Sequence, residues 1–149
     1  MNAEARAFVE KNRSAAMTTL RADGSPHTVR VGIAVVDGKI WSSGTRDRVR
    51  TRHLRRDPRS TLFVFDQQFR WLSLDCAVRI LDGADAPQQN LRLFQVMQSG
   101  LTPAPAPGKL TWFGRECTEP EFVAIMEQEH RLIYEFAPTR TYGMYAATP

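Results

Sequence analysis

The fold class the sequence predicts is mainly β with flanking helices: a small antiparallel barrel of Greek-key type whose ends are plugged by helices. Three observations predict it. Apolar and threonine-rich runs with period-two alternation recur between Asp-Gly and proline-containing breaks. Helical patterns interrupt these runs without alternating regularly with them, which argues against a doubly wound parallel sheet. The chain has 149 residues, 42% hydrophobic and 24% charged, which fits one folded domain spanning residues 1–149.

Taken in order, residues 3–12 carry Ala3, Ala7, Phe8 and Val9 among charges, the pattern of an amphipathic helix. Ala15 to Leu20 is a strand. Asp23-Gly24 supplies the positive φ that a hairpin turn requires. The return strand, His27 to Val36, puts Val29, Val31 and Ile33 on one face and Thr28, Arg30 and Gly32 on the other. Asp37-Gly38 turns again into a third strand, Lys39 to Ser43, so these three strands make a meander. After Pro58, Ser60 to Phe65 is a β run, and Gln67-Gln68 turns it into a long strand, Phe69 to Leu81. Its two faces are Trp71, Ser73, Asp75, Ala77 and Arg79 against Leu72, Leu74, Cys76, Val78 and Ile80.

Residues 87–98 form a helix with Leu91, Phe94 and Met97 at helical spacing, a stripe that core packing explains. Ser99 to Arg115 is a long Pro- and Gly-rich loop, a class that is usually functional or mobile. Thr118-Glu119-Pro120-Glu121 is a capping box opening a helix to about His130. Leu132 to Phe136 and Thr141 to Tyr145 are the final strands, separated by Ala137-Pro138-Thr139.

A net charge of +4 and a pI near 9.5 favour anionic partners. Nucleic acid is the weaker choice among them, because the basic cluster lacks interleaved aromatics and no binding motif is present. No apolar run approaches the length of a membrane span, and the first residues have neither an h-region nor transit-peptide character, so the expectation is cytoplasmic, with no membrane partner. Cys76 and Cys117 suggest no disulfide framework and no zinc site; Cys76 reads as a small buried residue. His27, His53 and His130 share no ligand spacing, so no metal is expected.

The segment Gly44 to Arg59 holds seven of the chain's 17 arginines. It follows the apolar run Ile40 to Gly44 and stops at Asp57-Pro58, where proline cannot continue a helix. A strand feeding a short helix whose first turn carries Arg48 and Arg50 would aim free N–H groups, the helix dipole and two guanidinium forks at one place. A solvated helix face in an arginine-rich chain fits the same run, and the arginines alone do not separate the two readings.

The order Asp23-Gly24-x-Pro26, a long second strand, R-x-R-x-x-x-L-R-R-D-P-R over Arg48 to Arg59, Trp71-Leu72-Ser73-Leu74 and a late Tyr142-Gly143 resembles a known family. It is that of the split β-barrel proteins related to pyridoxamine 5′-phosphate oxidase, in particular the actinobacterial branch using the deazaflavin coenzyme F420. The resemblance spans roughly residues 5–145. It implies an FMN-binding split barrel, a homodimer with cofactor sites at its interface, and an F420-dependent reductase acting on a small electron-poor molecule, with FMN as the alternative cofactor. It also implies that Arg48 and Arg50 hold the cofactor phosphate, helped by Ser43, Gly44 and Thr45. The backbone of Val29, Arg30 and Val31 would lie along the ring system, and Trp71 would approach from the long strand, from either subunit. Arg56 with Asp57 is an alternative structural ion pair. The proline-rich loop with Trp112 and Phe113 has no counterpart and could shape the substrate pocket. The other readings are a flavin-binding protein without turnover and, last, a nucleic-acid-binding domain.

Overall fold

The computed structural model describes residues 1–146. Its centre is a seven-stranded antiparallel sheet in the order β2-β1-β5-β6-β9-β4-β3. The strands are β1 (Ser14–Leu20), β2 (Pro26–Gly32), β3 (Ala34–Val36), β4 (Lys39–Thr45), β5 (Arg59–Phe65), β6 (Trp71–Leu81) and β9 (Arg131–Met144). A separate hairpin pairs β7 (Lys109–Trp112) with β8 (Arg115–Thr118). Four helices flank the sheets: α1 (Ala3–Lys11), α2 (Val49–Arg56), α3 (Ala86–Gln98) and α4 (Glu119–Gln128).

The predicted strand from His27 to Val36 is two strands at opposite edges of the sheet. The break is Ile33, whose N–H leaves the ladder and donates to the Arg13 carbonyl at 3.0 Å. β2 pairs only with β1 and β3 only with β4, so the expected meander does not form. The sheet curls until the chain passes from one edge to the other at Ile33, and Ser42 Oγ donates to the Gly32 carbonyl across the gap at 2.7 Å. The result is an antiparallel barrel split along one seam.

The inward faces follow the alternation. Met17, Ile33, Leu62, Leu72, Leu74 and Tyr134 are fully buried in the central core, capped by Phe8 and Val9 of α1. Phe69 does not start β6; it has a φ of +61° in the turn before it. The two expected final strands are one. β9 pairs along its length with β6, and its break at Pro138 is a bulge, with a register shift opposite Asp75 and Cys76. A proline lacks the ladder N–H and is tolerated there. Thr139 Oγ1 secures the bulge by donating to the Asp75 carbonyl at 3.0 Å.

The stripe on α3 is also rotated from expectation. Leu93 and Asn90 are the residues buried against the sheet, while Leu91 and Phe94 face α4 and the hairpin. The expected long loop 99–115 contains β7, and Cys117 lies buried in β8. The capping box at Thr118 and Glu121 forms as predicted.

Arg13 holds the end of α3. Its Nη1 donates to the carbonyls of Val96, Met97 and Ser99 at 2.6, 3.0 and 2.7 Å, at the helix end where carbonyls lack intrahelical partners; the Val96 carbonyl also accepts from the Ser99 hydroxyl. Arg13→Ala is expected to lower stability by about 1–2 kcal/mol, read as a shift in urea midpoint at unchanged slope. An unshifted midpoint would show that water replaces the guanidinium at no cost.

Candidate functional site

β4 ends on a close contact. Gly44 faces Leu132 in the β4–β9 ladder, and a Cβ on it would collide with the ring of Tyr134. Tyr134 is fully buried and its hydroxyl meets Thr51 Oγ1, which also bonds the Thr45 carbonyl at 2.8 Å. The first turn of α2 is thereby tied to the strand that precedes it. This matters because α2 has Arg48 at its N-cap position and no side-chain cap.

Arg50 follows from that anchor. Its guanidinium lies 5.5 Å from the Tyr134 ring centroid, its Nη2 makes one long bond of 3.4 Å to the Ser43 carbonyl, and its Nε is buried without a partner. Burial pushes its pKa below the usual arginine range, and the positive charges of Arg48 and Arg131 add to that effect while Tyr134 opposes it. Arginine stays charged at neutral pH regardless. Among the described residues Arg30, Arg46, Arg48, Arg50 and Arg52 pair with no carboxylate. A half-buried, unpaired guanidinium with an idle N–H is unfavourable until an anion meets it.

The cavity beside it measures about 250 Å³. Arg48, Arg50 and Arg131 form its polar wall, with Arg30 also lining it; Val31, Gly32 and Ser43 come from the strands, and Phe94 and Met97 supply the apolar side. All its charged residues are cationic. A larger cavity of about 460 Å³ shares Arg131 but mixes Arg46 and His130 with Asp82 and Glu127, which makes it a poorer anion site.

The structure therefore brings Arg30, Val31, Ser43, Arg48 and Arg50 of the expected set to one cavity. Val29, Gly44 and Thr45 do not line it: Val29 packs on the core, Gly44 is covered by Tyr134, and the Thr45 carbonyl is bonded to Thr51. The Ser43 hydroxyl is engaged already, donating to Asn90 Oδ1 at 2.5 Å. Trp71 lies elsewhere, on the outer face of the sheet between Phe63 and Tyr142, with ring centroids 5.6 and 6.1 Å away. That face is continuous with the cavity rim, because Arg30, Ala16, Phe63, Ser73 and Tyr142 are register partners in one row.

Sequence reasoning missed Arg131, Phe94, Met97 and Gly32. Arg131 reaches the site only because β9 sets it opposite Thr45, and its guanidinium is held by Glu129 at 2.8 Å and by the Trp112 ring at 5.1 Å. No local signal in the chain marks it. The second half of the arginine run is structural. Asp57 bonds Arg59 at 2.7 Å, not Arg56, and that contact pulls its carboxyl down to about 2. Arg56 donates to the Leu20 carbonyl and Arg55 pairs with Asp82. His53 faces away from the cavity, packed edge-on to His27 with centroids 5.2 Å apart.

At the seam of an antiparallel split barrel, the charged residues lining this cavity are all arginines, which suits an anionic ligand. The chain belongs to the pyridoxamine 5′-phosphate oxidase family, whose model matches residues 1–111. A conserved hypothetical protein from Mycobacterium tuberculosis is 22% identical with a TM-score of 0.73, covering 97% of this chain and 84% of that one. An F420 reductase is 19% identical with a TM-score of 0.65 over 92% and 94% of the two chains. A FAD-binding protein from Mesorhizobium loti is 16% identical with a TM-score of 0.64 over 99% and 96%. At these identities the likeness is one of fold. No curated protein matches in sequence. No helix among the described residues is long and apolar enough to cross a membrane.

His53 makes stability depend on pH. His53 Nδ1 lies 2.9 Å from Thr19 Oγ1, and burial, then His27 and the nearby Arg56, Arg21 and Arg52, hold its pKa below 6.5. The unfolded chain takes up this proton at a higher pH than the folded chain, so stability falls as pH drops below about 6.5. The Tm is expected to be lower at about pH 5.5 than at about pH 7.5, and His53→Gln should flatten that dependence. Parallel profiles for the two proteins would remove His53 from the account.

Proposed function

We propose that the chain is an F420-dependent reductase, passing hydride from the reduced deazaflavin to a small electron-poor organic acceptor. The observation that carries this reading is the half-buried Arg50, lacking an anionic partner, in a cavity where Arg48 and Arg131 converge and where Phe94 and Met97 supply an apolar side. Those three guanidiniums suit a phosphate or phosphodiester, which accepts several charge-assisted hydrogen bonds at once. The β2 backbone at Arg30 and Val31, on the same cavity, would support the ring system. When bound, the deazaflavin supplies the hydride chemistry, and the chain's part is to bind, orient and shield it. Arg48 and Arg50 would neutralise the phosphate, Arg131, itself held by Glu129, would donate to it beside them, and Phe94 and Met97 would exclude water.

F420 is favoured over FMN by the surplus of positive charge. Arg46 and Arg52, without carboxylate partners near the same strand-to-helix turn, suit an oligoglutamate tail, which FMN lacks. An FMN-dependent enzyme of the pyridoxamine phosphate oxidase type and a non-catalytic flavin or F420 carrier are the alternatives. On this reading the whole chain is one cofactor-binding domain working in the cytoplasm as a homodimer. Phe63, Phe65, Trp71, Tyr142 and Met144 give the sheet an outer aromatic face for a second copy to cover, and the partner's Trp71 would approach the ring.

Arg50→Met should weaken F420 binding tenfold or more, the effect of removing a charge-assisted contact worth about 1.5–3 kcal/mol. The cofactor-free variant should be no less stable than the parent, because it loses an unpaired charge. Fluorescence titration with F420 and FMN, with thermal melts of the cofactor-free proteins, reads both effects. Unchanged affinity for both cofactors would remove Arg50 from the site. Phe65→Glu should convert a dimer to a monomer in sedimentation, and an unaltered dimer would place the interface elsewhere.

A further inference from the structure

The β7–β8 hairpin carries a feature that the fold does not require. Its turn is Phe113-Gly114, with φ values of +48° and +77°, a two-residue connection of the type that Asn-Gly or Asp-Gly normally occupies. The comparable turn at Asp37-Gly38, with φ of +49° and +81°, uses the favoured residues. A bulky aromatic is disfavoured in the left-handed region, and Phe113 is also 86% exposed. Two local disadvantages meet at one residue, and its packing against Trp112 leaves most of the ring exposed.

The surroundings of Phe113 point to the cofactor cavity. It packs edge-on to Trp112 with centroids 4.9 Å apart, and Trp112 in turn meets Phe94 at 5.2 Å and the Arg131 guanidinium at 5.1 Å. Phe94 and Arg131 both line the 250 Å³ cavity. An aromatic tier thus runs outward from the wall of the anion site to an exposed ring at the hairpin tip. Arg131 itself is only 10% exposed, held between Trp112 and Glu129, so the tier is rigid where it joins the cavity. The other exposed phenylalanine with positive φ, Phe69, lies in the β5–β6 turn next to the outer aromatic face of the main sheet. Phe113 belongs to the second sheet and is separate from that face.

We infer that Phe113, backed by Trp112, is a stacking platform for a flat conjugated ring lying next to the bound phosphate. This rests on the reading of the Arg48, Arg50 and Arg131 cavity as a cofactor phosphate site. A planar ring suits the platform because a phenyl group held on two χ angles offers a π face at little entropic loss. Two sources can supply such a ring: the base of a dinucleotide flavin, or a planar acceptor such as a quinone. Phe113 is a binding residue in either case and takes no part in bond making.

The test is Phe113→Asn in the full chain. Asparagine tolerates the left-handed turn, so the variant should melt at the same temperature as the parent or higher. Dissociation constants are measured for FMN, FAD and F420, and for menadione with the cofactor-loaded protein. Loss of at least about fivefold in FAD affinity with FMN unchanged assigns the platform to the base. An equal loss for menadione with all three cofactors unchanged assigns it to the acceptor. Four unchanged constants, a uniform loss across the cofactors, or conversion of a dimer to a monomer would overturn the proposal. Failure of the underlying reading shows separately, as a parent protein that binds none of the three cofactors. The platform then stands or falls on whether the substitution weakens menadione binding to the cofactor-free protein.

Discussion

The contact between Tyr134 and Gly44 is where the barrel and the arginine site become one structure. Tyr134 sits fully buried on β9, and only a residue without a Cβ lets β4 pass beneath its ring. The same ring takes Thr51 through its hydroxyl and Arg50 over its face, so one side chain orients the first turn of α2. A helix of eight residues with an arginine at its N-cap position has little intrinsic stability, and most of its order must come from such tertiary contacts. Placement of the anion-facing guanidiniums therefore depends on core packing, not on helix propensity.

Charge is divided in the molecule between two uses. Arg13, Arg21 and Arg56 cap backbone carbonyls, and Arg55, Arg59 and Arg70 pair with aspartates. These contacts organise turns and helix ends, and as exposed pairs most contribute little each. Around the β4–α2 turn the pattern reverses: Arg48 and Arg50 face one cavity without a carboxylate partner, and of the cavity's arginines Arg131 is paired, with Glu129. Like charges held together in a partly dry cavity lower stability in isolation, an arrangement characteristic of binding sites.

Much of the element order was legible because it is set by local chemistry. Asp-Gly at two turns, the Thr118 capping box and the alternation over Trp71 to Leu81 each depend on residues within a few positions of one another. The errors share a cause as well. Whether residues 27–36 form one strand or two is decided by where their hydrogen bonds go, and Ile33 leaves the ladder for Arg13, twenty residues earlier in the chain. Pro138 looks like a strand break, but in the interior of a long pair it is absorbed as a bulge. The α3 stripe was read from hydrophobic spacing, which cannot say which of two apolar neighbours the helix will face.

By itself the sequence determined the mainly β class, the strand-to-helix turn rich in arginine, and the family to which the order of motifs belongs. These depend on periodicity, turn chemistry and charge, which are written locally. Only the tertiary structure decided which arginines remain without a carboxylate, that Arg131 joins Arg48 and Arg50, and that Trp112 stands behind that wall. Arg131 is more than eighty residues from Arg48 in the chain, and the strand pairing of Thr45 with Arg131 is what makes them neighbours. Convergence of that kind depends on register and packing between distant segments, and neither leaves a mark on the residues nearby.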